Sequence, residues 1–422
     1  MSVSGASRTK NHLTEYFAGD SDPRFKFWGM HNAGTTAITW KVSYRPFYSS
    51  AEPSSGDIQY LVLKTQKAVM DSGTSRSRAL KWADHIVNMV NIPEDPLDAS
   101  SQRVRNKYWP AWIYLEWVEN GTLSNFITRA KELYRTLPNR LLWRLFMCLI
   151  RMCIEMAWPP PGPENFGNPR SAIELSRNMR PTGIIHGDLH GGNVMFGAFV
   201  GSTRNSEHDI APPLKLIDFG DARDLNEHSE RRRYLERFYR SRGGDEEDRD
   251  GDVTMDDQDK PINGYDIFRA EDQIEPMGDT QGAAKNIFDI AKTMLQLTLL
   301  DMEVPLRRTS TMEYPAGPNW IINSAAVELL ALDETTGAYK YHHDLDVDLR
   351  LLICQCLAED PRDRPTLEQL EASVMDKIAR RDFQFYKDKY LSVPGSGDNW
   401  VTESDDNMRQ IMASTLLDAR TS

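Results

Sequence analysis

The 422-residue sequence predicts an α+β protein, with a small β-rich amino-terminal part and a larger helical carboxy-terminal part. Three observations lead there. Between Phe25 and about Val118, runs such as ITWKVSYRP and IQYLVLKTQ alternate or cluster β-formers and are bracketed by Gly, Ser and Pro. After ENGTLSNFITRAKEL the apolar residues take helical spacing: Leu141, Leu142, Leu145, Phe146, Leu149 and Cys153 share one face, and Arg140, Arg144 and Arg151 another. Within the helical half, TGIIHGDLHGGNVMF packs two histidines, an aspartate and an asparagine between two short apolar runs, and LKLIDFGDA places Asp218 at the end of another, as short strands around a polar loop require.

In chain order, residues 1–23 are polar and small and are expected to form a tail. The β-rich part runs over 24–118 and the helical part over 119–382, with further helices expected near 285–300 and 345–358. Two stretches interrupt the helical part, 197–213 and 229–262. The second places Asp245, Glu246, Glu247, Asp248, Asp250, Asp252, Asp256, Asp257 and Asp259 in a run with few apolar residues. Such a block repels itself and cannot cover a core, so it is expected to be a solvated insertion. Residues 383–422 are assigned to a carboxy-terminal tail.

Charge and composition narrow the function. A formal net charge of -12 argues against a nucleic-acid or membrane-surface binder, either of which needs a basic face. An anionic ligand must therefore be held by a local site. The four cysteines (Cys148, Cys153, Cys354, Cys356) sit in helical apolar runs without zinc-spaced partners and read as reduced core thiols. LLWRLFMCLIRMCIEMAW is broken by Arg144, Arg151 and Glu155, as in a core helix and unlike a membrane span. The first residues have no apolar signal core. The expected location is cytoplasmic or nuclear.

Asp188 and Asn193 lie five residues apart, and the VMF after them leads into a strand; Asp218 ends the strand of LKLIDFG. Antiparallel pairing of the two strands would bring Asn193 and Asp218 to one rim. That arrangement offers hard oxygen ligands to magnesium and leaves Asp188 to receive a proton. Upstream, Gly29, His31 and Gly34 have the spacing of a G-x-G-x-x-G loop with its middle glycine replaced by histidine, and YLVLK then delivers Lys64 from a second strand. A P-loop is excluded, because Gly34 is followed by Thr35 and Thr36 with no lysine between. Read singly, Lys64 is an ordinary surface lysine, His190 a supporting residue, and the arginine run at 231–242 a solvated face.

In this order, over about Phe25 to Ile378, the motifs resemble a eukaryotic protein-kinase domain of the divergent type frequent in filamentous fungi. HGDLHGGN is similar to the catalytic loop, DFG to the magnesium loop, LEWVENGTL to the hinge, NIFDIAKTML to the long buried helix and CLAEDPRDRPTLEQL to the closing helices. The resemblance implies a two-lobed protein-kinase-like fold that binds ATP and magnesium. It implies that Asp188 orients or deprotonates an acceptor hydroxyl, that Asn193 and Asp218 hold magnesium, and that Lys64 grips the phosphates beneath the Gly29–His31–Gly34 loop. Backbone groups from Leu115 through Glu116 to Val118 would frame the adenine, with Met195 beneath it. By the same likeness His186 is a structural hydrogen-bonder, Asp289 braces the catalytic loop, and a buried Arg364 pairs with Glu275.

The sequence also departs from the pattern. The helix glutamate that pairs with the strand lysine would fall near Arg76, where no glutamate occurs, and Asp71 is the nearest acid. Gly187 replaces the arginine that receives an activation-loop phosphate, and His190 stands at a usual lysine. HGDLHGGN resembles small-molecule kinases as well. The expectation is an ATP-dependent phosphotransferase acting on protein Ser/Thr hydroxyls; a pseudokinase module and a small-molecule kinase are the alternatives.

Overall fold

In the computed structural model, the alternating runs of the first part become strands. The structure describes residues 24–33, 37–45, 58–66, 83–93, 112–160, 181–199, 208–225, 278–304, 311–313, 321–333, 335–392 and 399–417, together with the isolated positions Leu13, Leu80, Asp95, Leu97 and Leu306. Two compact units are present, residues 1–118 and 119–422.

The first unit is an antiparallel sheet of β1 (Phe25–Ala33), β2 (Ala37–Tyr44), β3 (Gln59–Gln66), β4 (Met89–Val90) and β5 (Trp112–Glu116), in the order β1-β2-β3-β5-β4. Period-two patterning decides which face is core. Leu61, Leu63 and Thr65 of β3 are buried, whereas Val62 and Lys64 between them are not. Ile38, Trp40, Val42, Tyr44, Phe25 and Tyr114 complete the apolar layer, and each fully buried large side chain contributes about 1.5–3 kcal/mol. Trp40 Nε1 donates to Thr65 Oγ1 at 3.0 Å, so the indole N–H is satisfied inside the core. Leu13, from the stretch assigned to a tail, has no exposed surface and joins this layer.

The second unit is mixed and mostly helical. Its elements are α1 (Leu123–Leu133), α2 (Asn139–Ala157), β6 (Ile184–Ile185), β7 (Val194–Phe196), β8 (Leu214–Leu216), β9 (Arg223–Asp224) and α3 (Gly278–Leu299). They are followed by β10 (Thr311–Glu313), β11 (Ile321–Asn323), α4 (Val347–Cys356), α5 (Leu367–Arg380), α6 (Phe383–Leu391) and α7 (Asp405–Met412). Helix α2 is buried along nearly its whole length, because apolar residues cover most of its circumference. All four cysteines are free and buried, and no helix among the described residues is long and apolar enough to cross a membrane.

Residues 383–392 and 399–417 correct the tail expectation, since α6, α7 and the described turns beside them fold onto the helical unit. Tyr386, Tyr390, Met408, Ile411, Met412 and Leu416 are buried. Helix α2 is preceded by Pro138, which supplies no side-chain cap. Its first N–H groups are taken instead by Glu403, whose carboxylate accepts from Asn139 N at 2.8 Å and from Arg140 N at 3.0 Å. Burial holds the Glu403 carboxyl above its ordinary range despite these donors. Residues 208–213, inside the first expected interruption, also fold back, with Ile210 and Ala211 buried and Asp209 Oδ1 at 3.5 Å from Arg144 Nε. The acidic interruption at 229–262 lies outside the described residues.

Candidate active site

Two miniature sheets frame the loop at 186–193. β6 pairs antiparallel with β9, and β7 with β8 through Val194↔Leu216, Met195↔Lys215 and Phe196↔Leu214. The second pairing continues one step further, where Ile217 N donates to Asn193 O at 2.8 Å. Asn193 and Asp218 therefore come to the same end of the β7–β8 hairpin, as the two apolar runs required.

The inner end of the loop is anchored by buried polar groups. His186 is fully buried; its Nδ1 accepts from Asp188 N at 3.3 Å, so its Nε2 carries the proton and donates to Ile217 O at 3.0 Å. Burial pushes the His186 pKa below its ordinary value, which keeps the ring neutral. Its edge packs on Phe219, with ring centroids 4.9 Å apart.

The brace from α3 is Asn286, which corrects the assignment to Asp289. Asn286 Oδ1 accepts from His186 N at 3.2 Å and Asn286 Nδ2 donates to Ile184 O at 2.8 Å. A carboxylate can only accept, so it could not satisfy an N–H and a C=O on the same segment; an amide does both. Asp289, one turn later, instead takes the buried Lys285 ammonium at 2.5 Å.

Gly187 has φ +83, and a Cβ there would stand 2.4 Å from the carbonyl oxygen of Asp221. No arginine can occupy this position while the segment after Asp218 lies against the loop. Asp188 and His190 are about half exposed, at 53% and 51%. Asn193 Nδ2 donates to Asp188 Oδ2 and to Asp188 O, both at 2.9 Å, which fixes the amide's orientation. His190 Nδ1 accepts from Gly192 N at 3.0 Å and its Nε2 lies 3.5 Å from Asp188 Oδ2. His186 is thus no metal ligand beside Asp188 and His190, since its ring nitrogens are both spent on backbone groups.

Asp218 takes the left-handed conformation, φ 61 and ψ 74, and its Oδ1 accepts from Gly220 N at 3.1 Å. Such a backbone costs a non-glycine residue about 1–2 kcal/mol and is tolerated best by Asp and Asn. The strain turns the Asp218 side chain back over its own loop while Phe219 stays buried. The residues that could hold a divalent cation here are Asn193 and Asp218, which would offer hard oxygens, the Asn193 nitrogen being already committed to Asp188.

The remaining candidates lie in the first unit or elsewhere. Lys64 is partly buried on the non-core face of β3, between Thr39 of β2 and Ile113 of β5. Gly29, at φ +124, pairs with Lys41, and exposed His31 packs its ring edgewise on Trp117 at 4.9 Å. Glu116 Oε1 accepts from Asn88 N at 2.8 Å and Asn88 Nδ2 at 3.1 Å, so its side chain ties β5 to the segment before β4. Val118 is buried, and Met195 bridges to Thr122. Arg364 is buried with its guanidinium donating to Ala358 O and Ala284 O, each at 2.9 Å, and lying over Phe288. Gly34, Asp71, Arg76 and Glu275 lie outside the described residues.

Compared with known proteins, the chain matches no family model and no curated sequence.

Proposed function

We propose that the protein is a phosphotransferase of the protein-kinase type, using ATP and magnesium to phosphorylate protein Ser/Thr hydroxyls on a two-lobed kinase-like fold. The reading is supported chiefly by one observation: Asp188, Asn193 and Asp218 sit together at one hairpin end, two of them joined by the 2.9 Å Asn193–Asp188 hydrogen bond. Magnesium held by Asn193 and Asp218 would neutralise charge on the transferred phosphoryl group. Asp188, exposed and oriented by Asn193, accepts or directs the proton of the acceptor hydroxyl. His186 and Asn286 hold the loop rigid, so that little reorganisation is needed during reaction. Lys64 is the phosphate-gripping amine contributed by the sheet.

The test is phosphoryl transfer from labelled ATP to a panel of protein and small-molecule acceptors. Asp188→Asn should lower transfer by about 10³-fold or more, with little change in melting temperature. Equal activity in the wild type and the variant would remove Asp188 from the chemistry. Absence of transfer in both, together with magnesium-dependent thermal stabilisation by ATP, would favour a pseudokinase. Transfer to amines or alcohols but not to proteins would favour a small-molecule kinase.

A further inference from the structure

The face of the five-stranded sheet that turns away from its core carries an unusual set of side chains. Cross-strand pairing aligns Thr39, Lys64 and Ile113 in one rung and Lys41, Val62 and Leu115 in the next. Lys41 and Lys64 are therefore diagonal neighbours on one face, about 7–8 Å apart at the backbone. The following rung brings Ser43 and Tyr60, and Trp117 N donates to Tyr60 O.

Lys41 is partly buried. Its Nζ lies 4.7 Å from the centre of the Tyr60 ring and 4.2 Å from that of Trp117. Among the described residues its ammonium has these rings as partners and no carboxylate. Ring quadrupoles hold a cation less firmly than an anion does, so this amine is poised to move to a nearby negative charge. When it moves, it uncovers the side of the Tyr60 and Trp117 rings that it had covered, while Trp28 stays beside Tyr60 at 6.2 Å and the His31 ring stays edgewise on Trp117 at 4.9 Å. One ligand class satisfies both groups at once, a nucleoside polyphosphate: its base stacks where the ammonium was, and its phosphates draw Lys41 and Lys64 together.

We infer that Lys41 is a second phosphate-binding lysine of the nucleotide site, released from Tyr60 and Trp117 when the base stacks on them. This rests on the phosphotransferase reading above and adds to it a residue that neither the glycine-loop spacing nor the strand lysine motif includes. Along the rungs, Lys64 lies nearer the turn between β1 and β2, and Lys41, the cross-strand partner of Gly29, lies beside the rings.

Calorimetric titration of the full chain with magnesium and ATP, adenosine or inorganic tripolyphosphate tests it, using the wild type, Lys41→Met, Lys41→Arg and Lys64→Met. Lys41→Met should weaken ATP and tripolyphosphate about ten-fold or more and leave adenosine within about two-fold, while Lys41→Arg keeps most of the ATP affinity. ATP affinity unchanged in Lys41→Met, with Lys64→Met impaired, would overturn the inference and leave the phosphotransferase reading standing. Equal weakening of adenosine and ATP in both Lys41 variants would also overturn it, since Lys41 would then only shape the sheet. A wild type that binds none of the three would remove both readings.

Discussion

Two aspartates of the helical unit, Asp188 and Asp346, lie in similar-looking polar stretches, HGDLH and DLDVD, yet their surroundings are opposite. Asp346 is 2% exposed and saturated: its carboxylate accepts from Trp143 Nε1 at 3.0 Å, Lys389 Nζ at 2.9 Å, Arg381 at 2.5 Å and the Tyr386 hydroxyl. Asp188 is 53% exposed, and its carboxylate oxygens meet one amide donor and a distant imidazole. A carboxylate whose lone pairs are all spent can only hold structure together. One oriented by a single partner and open to water still has lone pairs for chemistry. Burial works to raise the Asp346 pKa, but Lys389, the Trp143 and Tyr386 hydrogen bonds and Arg381 outweigh it and hold the group below the ordinary carboxylate range.

The sharpest way to break this contrast is Asp346→Asn. Removing the charge leaves Arg381 and Lys389 without their buried counter-ion and should cost about 3–5 kcal/mol, seen as a lower urea midpoint, while transfer per folded molecule is unchanged. A loss of turnover without loss of stability would place Asp346 in the chemistry and undo the distinction. Gly187→Ala probes the loop on the other side of the comparison. The new Cβ meets the Asp221 backbone in a left-handed conformation, so a cost of about 3 kcal/mol is expected, with the loop bearing Asp218 displaced. Unchanged thermal stability would mean that the segment after Asp218 is not seated on Gly187.

The smallest effect concerns pH. Burial, followed by the nearby Arg350 guanidinium, lowers the His342 pKa from 6.5 to about 4. The unfolded chain then binds a proton below pH 6.5 that the folded one refuses until about pH 4. Stability is thus complete above pH 6.5 and falls as the pH drops towards 4, by about 2 kcal/mol for a partly exposed ring. His342→Asn, which tolerates the φ of +46, should flatten this limb of a melting-temperature profile. An unaltered profile would assign the acid sensitivity to other groups.

Much of the fold follows from local pattern. The alternation in ITWKVSYRP and IQYLVLKTQ is the alternation of β2 and β3, and the apolar face of 141–153 is buried in α2, where burial also takes in Arg140 and most of the remaining circumference. The placement of Asn193 and Asp218 at one end of the β7–β8 pairing was legible because both flank short apolar strands, and a hairpin leaves few other places for their ends. Asn286 was not, since periodicity counts any polar residue on a helix as outward, and only the N–H and C=O it serves reveal an amide's role. Residues 383–417 read as a tail because their buried side chains come in single file among charged ones, two or three per helix. Lys41 was invisible for a related reason: its neighbours are set by strand register, which no short window contains.

One long-range contact bears on how the helical unit is assembled. Glu403 meets the start of α2 across 264 residues of chain, so the opening turn of this buried helix has its carboxylate acceptor only when the 399–405 segment is in place. Segments made before Glu403 can collapse around α2, but they cannot finish it. Completing the start of α2 therefore carries the loop-closure cost of a contact of very high sequence separation.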